Sequence, residues 1–475
     1  MRQGNKIAFR LFYWYNVHES NAHCSVRIAH CDMEAGVKNY RSFSFFLLLL
    51  LTAGVLSSCG KAEGENQNTN NLNDTNSVIN PYAGAVSMEG TPVIDYAVPR
   101  LLPNILVDTR GYDVSDGKVA AVKGRNLPEE FGLVDALTGE EVYRGTVEDI
   151  VYHDDLGIYS GYLDFGEFRQ TGIYYLECDI IGCSTPFDIR EKRYMALFAE
   201  VYRELADSIR ERTITLPETV DLLEAYEWYA DIFPDEDGDE IPDVLKELRG
   251  WVSYMEENGV DEEEEALYAA FLAKFGYLYQ KLDRKYATDC LRRASTVFGQ
   301  AKTVIGRDAD TFLALTELYR ATGRYAYRQQ IIGYKDFFED NSSYLEKRSY
   351  LYAVMTYIAT RQKVDVDLCW DFTRNVRDRA EEISKHYIDM IHPVAAKNNG
   401  PADLLEGAVG LSCDNYIVNN YQYTGVLEEF LHYLMGLNLE SVCFYENGED
   451  RSSYLLLLAQ LAALHETGEH EKEGL

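Results

Sequence analysis

Proline is scarce, with 11 residues in a chain of 475, and because proline is expelled from helix interiors this poverty leaves room for many uninterrupted helices. Basic side chains are also few, 45 Lys and Arg against 78 Asp and Glu, for a formal net charge of −33. A surface so charged repels phosphate backbones and anionic headgroups, which excludes nucleic acid as a partner. Long apolar runs are missing too: Ser42 to Leu56 offers about 15 residues where a membrane-spanning helix needs roughly 20. His465 and His470 do not form a His-Glu-x-x-His zinc motif, no cysteine pair has zinc-finger spacing, and no glycine loop suits a nucleotide. No repeat of fixed period is visible, which weighs against a tetratricopeptide-type array. What the chain does have is 46% apolar and 13% aromatic content, with 36 tyrosines, ample for large cores and for an aromatic interior or groove.

The N-terminal 1–58 segment reads as an export signal. Lys38 and Arg41 precede the apolar stretch, and Leu56-Ser57-Ser58-Cys59 follows it, which resembles a bacterial lipoprotein signal and implies cleavage before Cys59 and lipidation of its sulfur. A start at Met33 would leave a signal of ordinary length. Residues 59–97 begin with an Asn-, Gln- and Thr-rich stretch without aromatics from Gly60 to Asn80, too polar to offset its own chain entropy by burial, and so a tether. The expected location is the extracellular face of a bacterial membrane.

Residues 98–191 read as a small immunoglobulin-like β-sandwich, with short β runs near 104–109, 118–123, 131–135, 157–163, 172–179 and 185–189 separated by turn signals such as Asp116-Gly117 and Thr138-Gly139. Cys178 and Cys183 flank a hairpin turn; they either pair across it or remain free thiols, the latter being favoured. Residues 192–475 switch to a 3.6-residue period. About twelve helices are expected, near 193–211, 217–232, 242–256, 262–281, 284–304, 308–322, 324–339, 342–361, 366–389, 402–410, 415–436 and 451–466, as a solenoid or a closed (α/α)6 toroid.

Ordered segments then resemble one family. Asn104 to Tyr112, Lys118 to Val122, Ser160-Gly161, Asp164-Phe165, Thr171 to Tyr174 and Phe187 to Ile189 are similar to the N-terminal Ig-like domain of glycoside hydrolase family nine cellulases. Leu222 to Tyr226, Ile241 to Glu247, Asp310 to Gly323, Asp414-Asn415 and Tyr433 to Asn438 continue that resemblance. It implies a multidomain β-then-α chain, an Ig-like sandwich followed by a shortened (α/α)6 barrel, with β-glucan or a related polysaccharide as partner.

Inverting hydrolysis needs two carboxyls, an acid and a water-activating base, about 6.5–9.5 Å apart. The family's Asp-Ala-Gly-Asp base motif is absent from Glu204 to Thr219, where Asp207 and Glu211 are the only nearby acids and read as solvated helix positions. The His-His-Arg segment is also gone. Glu449, just ahead of the last apolar helix, is the candidate general acid, with a solvated loop as the alternative. Tyr226, Trp228, Tyr229 and Trp370 are candidate sugar-stacking rings, or else core. Asp235, Asp237, Asp239 and Asp243 occupy positions 1, 3, 5 and 9 of a calcium loop, although position 6 is Glu240 and position 12 is Lys246; the alternative is an acidic cap on the helix beginning near Pro242. No cofactor other than this calcium is implied. Three readings follow: a surface-anchored cellulase-like protein with lost or weakened catalysis, an active inverting endo-β-1,4-glucanase with a non-standard base, and a non-catalytic structural lipoprotein.

Overall fold

Alternating apolar side chains in the first hundred described residues build a sandwich core of Val107, Tyr112, Val122, Phe131, Leu133, Leu163, Phe165, Leu176, Phe187 and Ile189. The structure, a computed structural model, describes residues 102–467 except 305, 397–399, 419–420 and 448–449. The export segment, Cys59 and the tether therefore lie outside the described residues, as does Glu449.

Nine strands form the sandwich: β1 (Ile105–Leu106), β2 (Tyr112–Asp113), β3 (Val119–Gly124), β4 (Glu130–Asp135), β5 (Glu141–His153), β6 (Ile158–Asp164), β7 (Gly172–Cys178), β8 (Gly182–Cys183) and β9 (Phe187–Arg190). Strand order is β1-β3-β6-β5-β4-β7-β9-β2, with β8 also on β7. β5 joins the two layers. Its first half pairs with β4 up to Thr146↔Glu130 and its second half pairs with β6 from Val147↔Leu163 onward. The sequence reading omits β5 because most of its side chains are exposed, which leaves little apolar alternation to read. Cys178 and Cys183 are both free thiols. The ladder sets Cys178 opposite Gly182 and Cys183 opposite Glu177, so they are offset by one residue, with Cys178 buried and Cys183 exposed.

The remainder is helical: α1 (Arg193–Glu211), α2 (Leu216–Trp228), α3 (Asp243–Asn258), α4 (Glu265–Tyr279), α5 (Arg284–Val304), α6 (Ala309–Thr322), α7 (Tyr325–Ile332), α8 (Tyr334–Asp340), α9 (Arg348–Ala359), α10 (Val366–Ile391), α11 (Pro401–Val418), α12 (Thr424–Leu434) and α13 (Arg451–Thr467). Two kinds alternate. α2, α4, α6, α9, α11 and α13 are buried along most of their length, whereas α1, α3, α5 and α10 bury a single stripe. A helix buried all round belongs inside and a one-sided helix outside, and contacts run α2 to α4 to α6 to α9 to α11 to α13 and back to α2. The result is a closed inner ring of parallel helices within an outer layer. Among the described residues no helix is long and apolar enough to cross a membrane.

Several expected boundaries are corrected. The 324–339 helix divides into α7 and α8 at Gly333, and 342–361 becomes a 3-10 turn, Ser342–Glu346, before α9. The break expected between 402–410 and 415–436 is not there: α11 runs through Asp414 and Asn415, both fully buried. Gly407 and Gly410 let α11 approach its neighbours, since a Cβ on either would stand 3.4 Å from Phe430 or Arg379. The turn comes later, where Asn415 Oδ1 accepts the Tyr423 N–H at 3.0 Å.

Sandwich and barrel meet through a small apolar contact of Leu106, Ala121, Val394 and Leu437 and through buried polar groups. Thr109 donates from N and Oγ1 to the Met435 carbonyl at 3.0 and 2.7 Å. Gly436 has φ 126°, and a Cβ there would come within 2.8 Å of Thr109, so only glycine admits this approach. Asp108, fully buried, takes Arg193 at 2.5 Å and His432 at 2.8 Å.

Candidate functional site

The N-termini of the inner helices form one rim of the ring, and charge converges there. Arg348 opens α9 and reaches Asp221 of α2 at 2.5 Å, Asp450 at 3.5 Å, and Glu406 of α11. Asp221 also accepts from Tyr352 Oη at 2.8 Å and Ser452 Oγ at 2.7 Å. Burial pushes the Asp221 carboxyl above the usual range, against the pull of Arg348, Ser452 and Tyr352. Burial also works against the Arg348 charge, but Asp221 and its neighbours outweigh it and hold the guanidinium charged. Three carboxylates are thus committed to one cation. A general base needs a lone pair facing a water and a general acid needs a proton facing the leaving oxygen; Asp221 offers neither, being enclosed and fully paired.

A second tier lies further along the ring axis. Lys274 of α4 sits 2.5 Å from Glu224, 2.6 Å from Glu227 and 3.3 Å from Glu317. Arg320 contacts Glu317 at 2.5 Å and also Glu227, and Thr356 donates to Glu317 at 2.6 Å. Burial pushes Glu224 up to about 8 despite Lys274, whereas for Glu227 Arg320 and Lys274 outweigh burial and pull it down to about 2. Such a split would suit acid–base work, but the space between Val220, Glu224, Phe271, Lys274 and Glu317 admits no water molecule. Glu224, Lys274 and Glu317 hold the ring together and are closed to substrate, while Glu227 keeps 19% of its side chain exposed.

The aromatic candidates separate. Trp228, the last residue of α2, stacks on Tyr416 of α11 with centroids 5.2 Å apart, and Tyr229 meets both edge-on. This cluster stands at the C-terminal rim, opposite Arg348, and Tyr416 remains 38% exposed. Tyr226 turns away and packs edge-on against Phe233. Trp370 lies on outer helix α10, 48% exposed. Tyr416 was not singled out by sequence; its position one residue past Asp414-Asn415 was the available signal. Asp450, which follows Glu449 in sequence, belongs to the opposite rim, where it contacts Arg348. Asp207 and Glu211 are exposed on α1, Asp207 pairing with Arg210.

The acidic loop before α3 closes as its spacing suggests, with oxygens of Asp235, Asp237 and Asp239 converging. Its centre is taken by the Lys246 ammonium, 3.4 Å from Asp235, 2.9 Å from Asp239, 3.2 Å from Asp243, and bonded to Asp237 as well. These residues do not fit calcium while an internal cation fills the position-12 role. Melting is therefore expected to be indifferent to millimolar calcium or EDTA; a calcium-dependent rise in Tm that Asp237→Asn removes would show that the ion displaces Lys246.

Residues 102–182 match the family model for the cellulase N-terminal Ig-like domain. Among solved structures, a metagenome-derived glycoside hydrolase family nine endoglucanase is 18% identical, over 72% of this chain and 84% of that one, with a TM-score of 0.58. A family-nine protein of Bacteroides ovatus is 13% identical over 76% of this chain and 99% of that one, TM-score 0.60. AaCel9A, solved with a cellobiose-like isofagomine, is 14% identical over 72% and 84%, TM-score 0.54. No curated protein matches the chain.

Proposed function

We propose that this chain, a cellulase Ig-like sandwich joined to the fold of family-nine endoglucanases, is a surface-anchored polysaccharide-binding relative of those enzymes in which hydrolysis is lost or weakened. The anchor in this reading is lipidated Cys59, and the ligand is a β-glucan. The observation that carries the reading is Arg348: at the rim formed by the inner-helix N-termini it is bound to Asp221, Glu406 and Asp450, with no Asp-Ala-Gly-Asp motif in the preceding interval to supply a free base. The missing catalytic pair would cost several orders of magnitude in rate. A relative's complex with a cellobiose-like compound supports the ligand class.

Sugar contact in this reading falls to Tyr416, 38% exposed, with the half-buried Trp228 stacked against it as its support. Trp228→Ala is expected to weaken binding of cello-oligosaccharides about tenfold, the loss of roughly one aromatic stacking contact, as read by affinity electrophoresis. Unchanged mobility would move the binding surface elsewhere. The reading as a whole is tested by incubating the purified chain with a panel of soluble β-glucans and following anomeric protons by NMR. No product is expected; accumulation of the inverted anomer would identify a working acid–base pair and overturn it.

A further inference from the structure

Four cations gather where the inner helices α6 and α9 end, without acids of their own to balance them. The segments Leu318 to Lys335 and Lys347 to Val364 contain no Asp or Glu, and the ring sets the turns that follow the two helices side by side. Gly323 closes α6 with φ 64°, and a Cβ there would come within 2.7 Å of the Gln362 amide, so the turns touch. Gln362 Nε2 donates to the Arg320 carbonyl at 3.2 Å, and Tyr319 Oη to the Lys363 carbonyl at 2.5 Å. Arg324 is thereby brought beside the turn that carries Arg361 and Lys363, and all three are exposed. Arg328, one turn along α7 and half-buried, lies close enough to Tyr319 and Tyr357 to act on both hydroxyls. Its Nε is buried without a hydrogen-bond partner. Whereas Arg320 is committed to Glu227 and Glu317, none of these four has an ion-pair partner among the described residues.

The helix ends do not account for so much positive charge. Each C-terminus carries about half a negative charge, and Asp365, which caps α10 through the Leu368 N–H at 3.2 Å, adds one more. Four cations outweigh these by about two charges, on a chain whose net charge is −33. A positive island on so acidic a body takes an anion presented at short range. It disfavours nucleic acid, with one charge per about 1.7 Å, and anionic membranes, because their remaining charge meets the acidic surface. A polysaccharide with one carboxylate per sugar is more sparsely charged. Three of the four cations are arginines, whose planar fork matches a carboxylate with two parallel hydrogen bonds. Tyr325, between Arg324 and Arg328 in sequence, is 69% exposed and offers a ring on which the apolar face of a sugar can stack. Arg320, at the foot of the patch, also holds Glu227, the residue before Trp228, which ties the patch to the rim of the aromatic cluster.

We propose that Arg324, Arg328, Arg361 and Lys363, with Tyr325, form a binding site for the carboxylates of an acidic polysaccharide of the uronate class. The inference rests on the reading of this chain as a polysaccharide-binding protein, and it adds a charged ligand to the neutral glucan. The test titrates the purified full chain with a short oligogalacturonate by calorimetry, and with a cello-oligosaccharide in parallel. Salt is held at about 0.1 M, where a Debye length near 10 Å screens distant acids but not contacts. Saturable binding of the oligogalacturonate is expected. Arg324→Gln, Arg361→Gln and Lys363→Gln should each weaken it roughly twofold to fivefold, the worth of one exposed ion pair. The triple variant should lose on the order of tenfold to a hundredfold, with Tm unchanged because all three side chains are exposed. Arg125→Gln, which removes an exposed cation of the sandwich, should leave binding as it is. A chain that binds the cello-oligosaccharide but not the oligogalacturonate overturns this inference and leaves the glucan reading standing; the reverse supports the inference and removes the glucan. Oligogalacturonate binding that the triple variant does not weaken also overturns it.

Discussion

Replacing Lys274 with Met is expected to cost about 3–5 kcal/mol of folding stability, the usual penalty for removing one partner of a buried ion cluster. The ammonium lies among Glu224, Glu227 and Glu317, and its side chain is 2% exposed, so water cannot take its place. Without it, Arg320 alone faces three carboxyls. Urea unfolding followed by circular dichroism would read the loss as a lower midpoint with an unchanged slope. Adding Glu224→Gln to Lys274→Met should recover part of it, because that carboxyl is the one burial already drives toward its neutral form. The two changes should therefore be non-additive. A Lys274→Met chain as stable as wild type would mean that this tier does not organise the inner ring.

Stability is expected to fall as pH rises from about 5 to 8, by on the order of 2–4 kcal/mol from Glu224 alone. Burial pushes Glu224 from 4.5 up to about 8, Glu429 from 4.5 up to about 7 and Asp414 from 3.8 up to about 6. Carboxyls whose folded pKa exceeds the unfolded value bind protons more tightly in the native state. Their contribution is complete below the unfolded pKa and is lost as pH climbs through the folded one. Glu227 acts oppositely: Arg320 and Lys274 outweigh burial to pull it from 4.5 down to about 2, so its contribution is present above 4.5 and lost as pH falls toward 2. The maximum should therefore lie near pH 4 to 5. Glu224→Gln should flatten the alkaline side and be the more stable protein at pH 8; a profile that rises from pH 5 to 8 would contradict the burial argument.

Much of the architecture was legible in the chain itself. Two periodicities mark the sandwich and the helices, and the inner ring is visible in hindsight as helices without a polar face. β5 escaped because a strand whose side chains mostly face solvent carries few apolar signals. The α11 boundary differs because Asp414 and Asn415 look like a turn until their partners, Arg377 and Gln422 for the first and the Tyr423 N–H for the second, are known. The charge network was the harder loss. Charged residues along a helix usually mark a solvated face, yet Lys274 stands alone in the apolar run Ala266 to Tyr279, and Glu224 follows two leucines. An isolated charge in an otherwise apolar helix implies a buried partner. Which partner was not readable: Arg348 meets Asp221 across 127 residues of sequence, a pairing only the closed ring creates.

Trp228 reaches the Arg348 cluster through one ring, its centroid 6.0 Å from that of Tyr352, whose hydroxyl donates to Asp221, so binding and turnover are best read in the same sample. The most direct measurement is to titrate the purified chain with a soluble cello-oligosaccharide by calorimetry and then assay reducing ends in the same sample. Saturable binding without new reducing ends is the predicted result. Reducing ends that accumulate with the wild type and vanish with Glu449→Gln would contradict it, and would return the protein to the active glucanases.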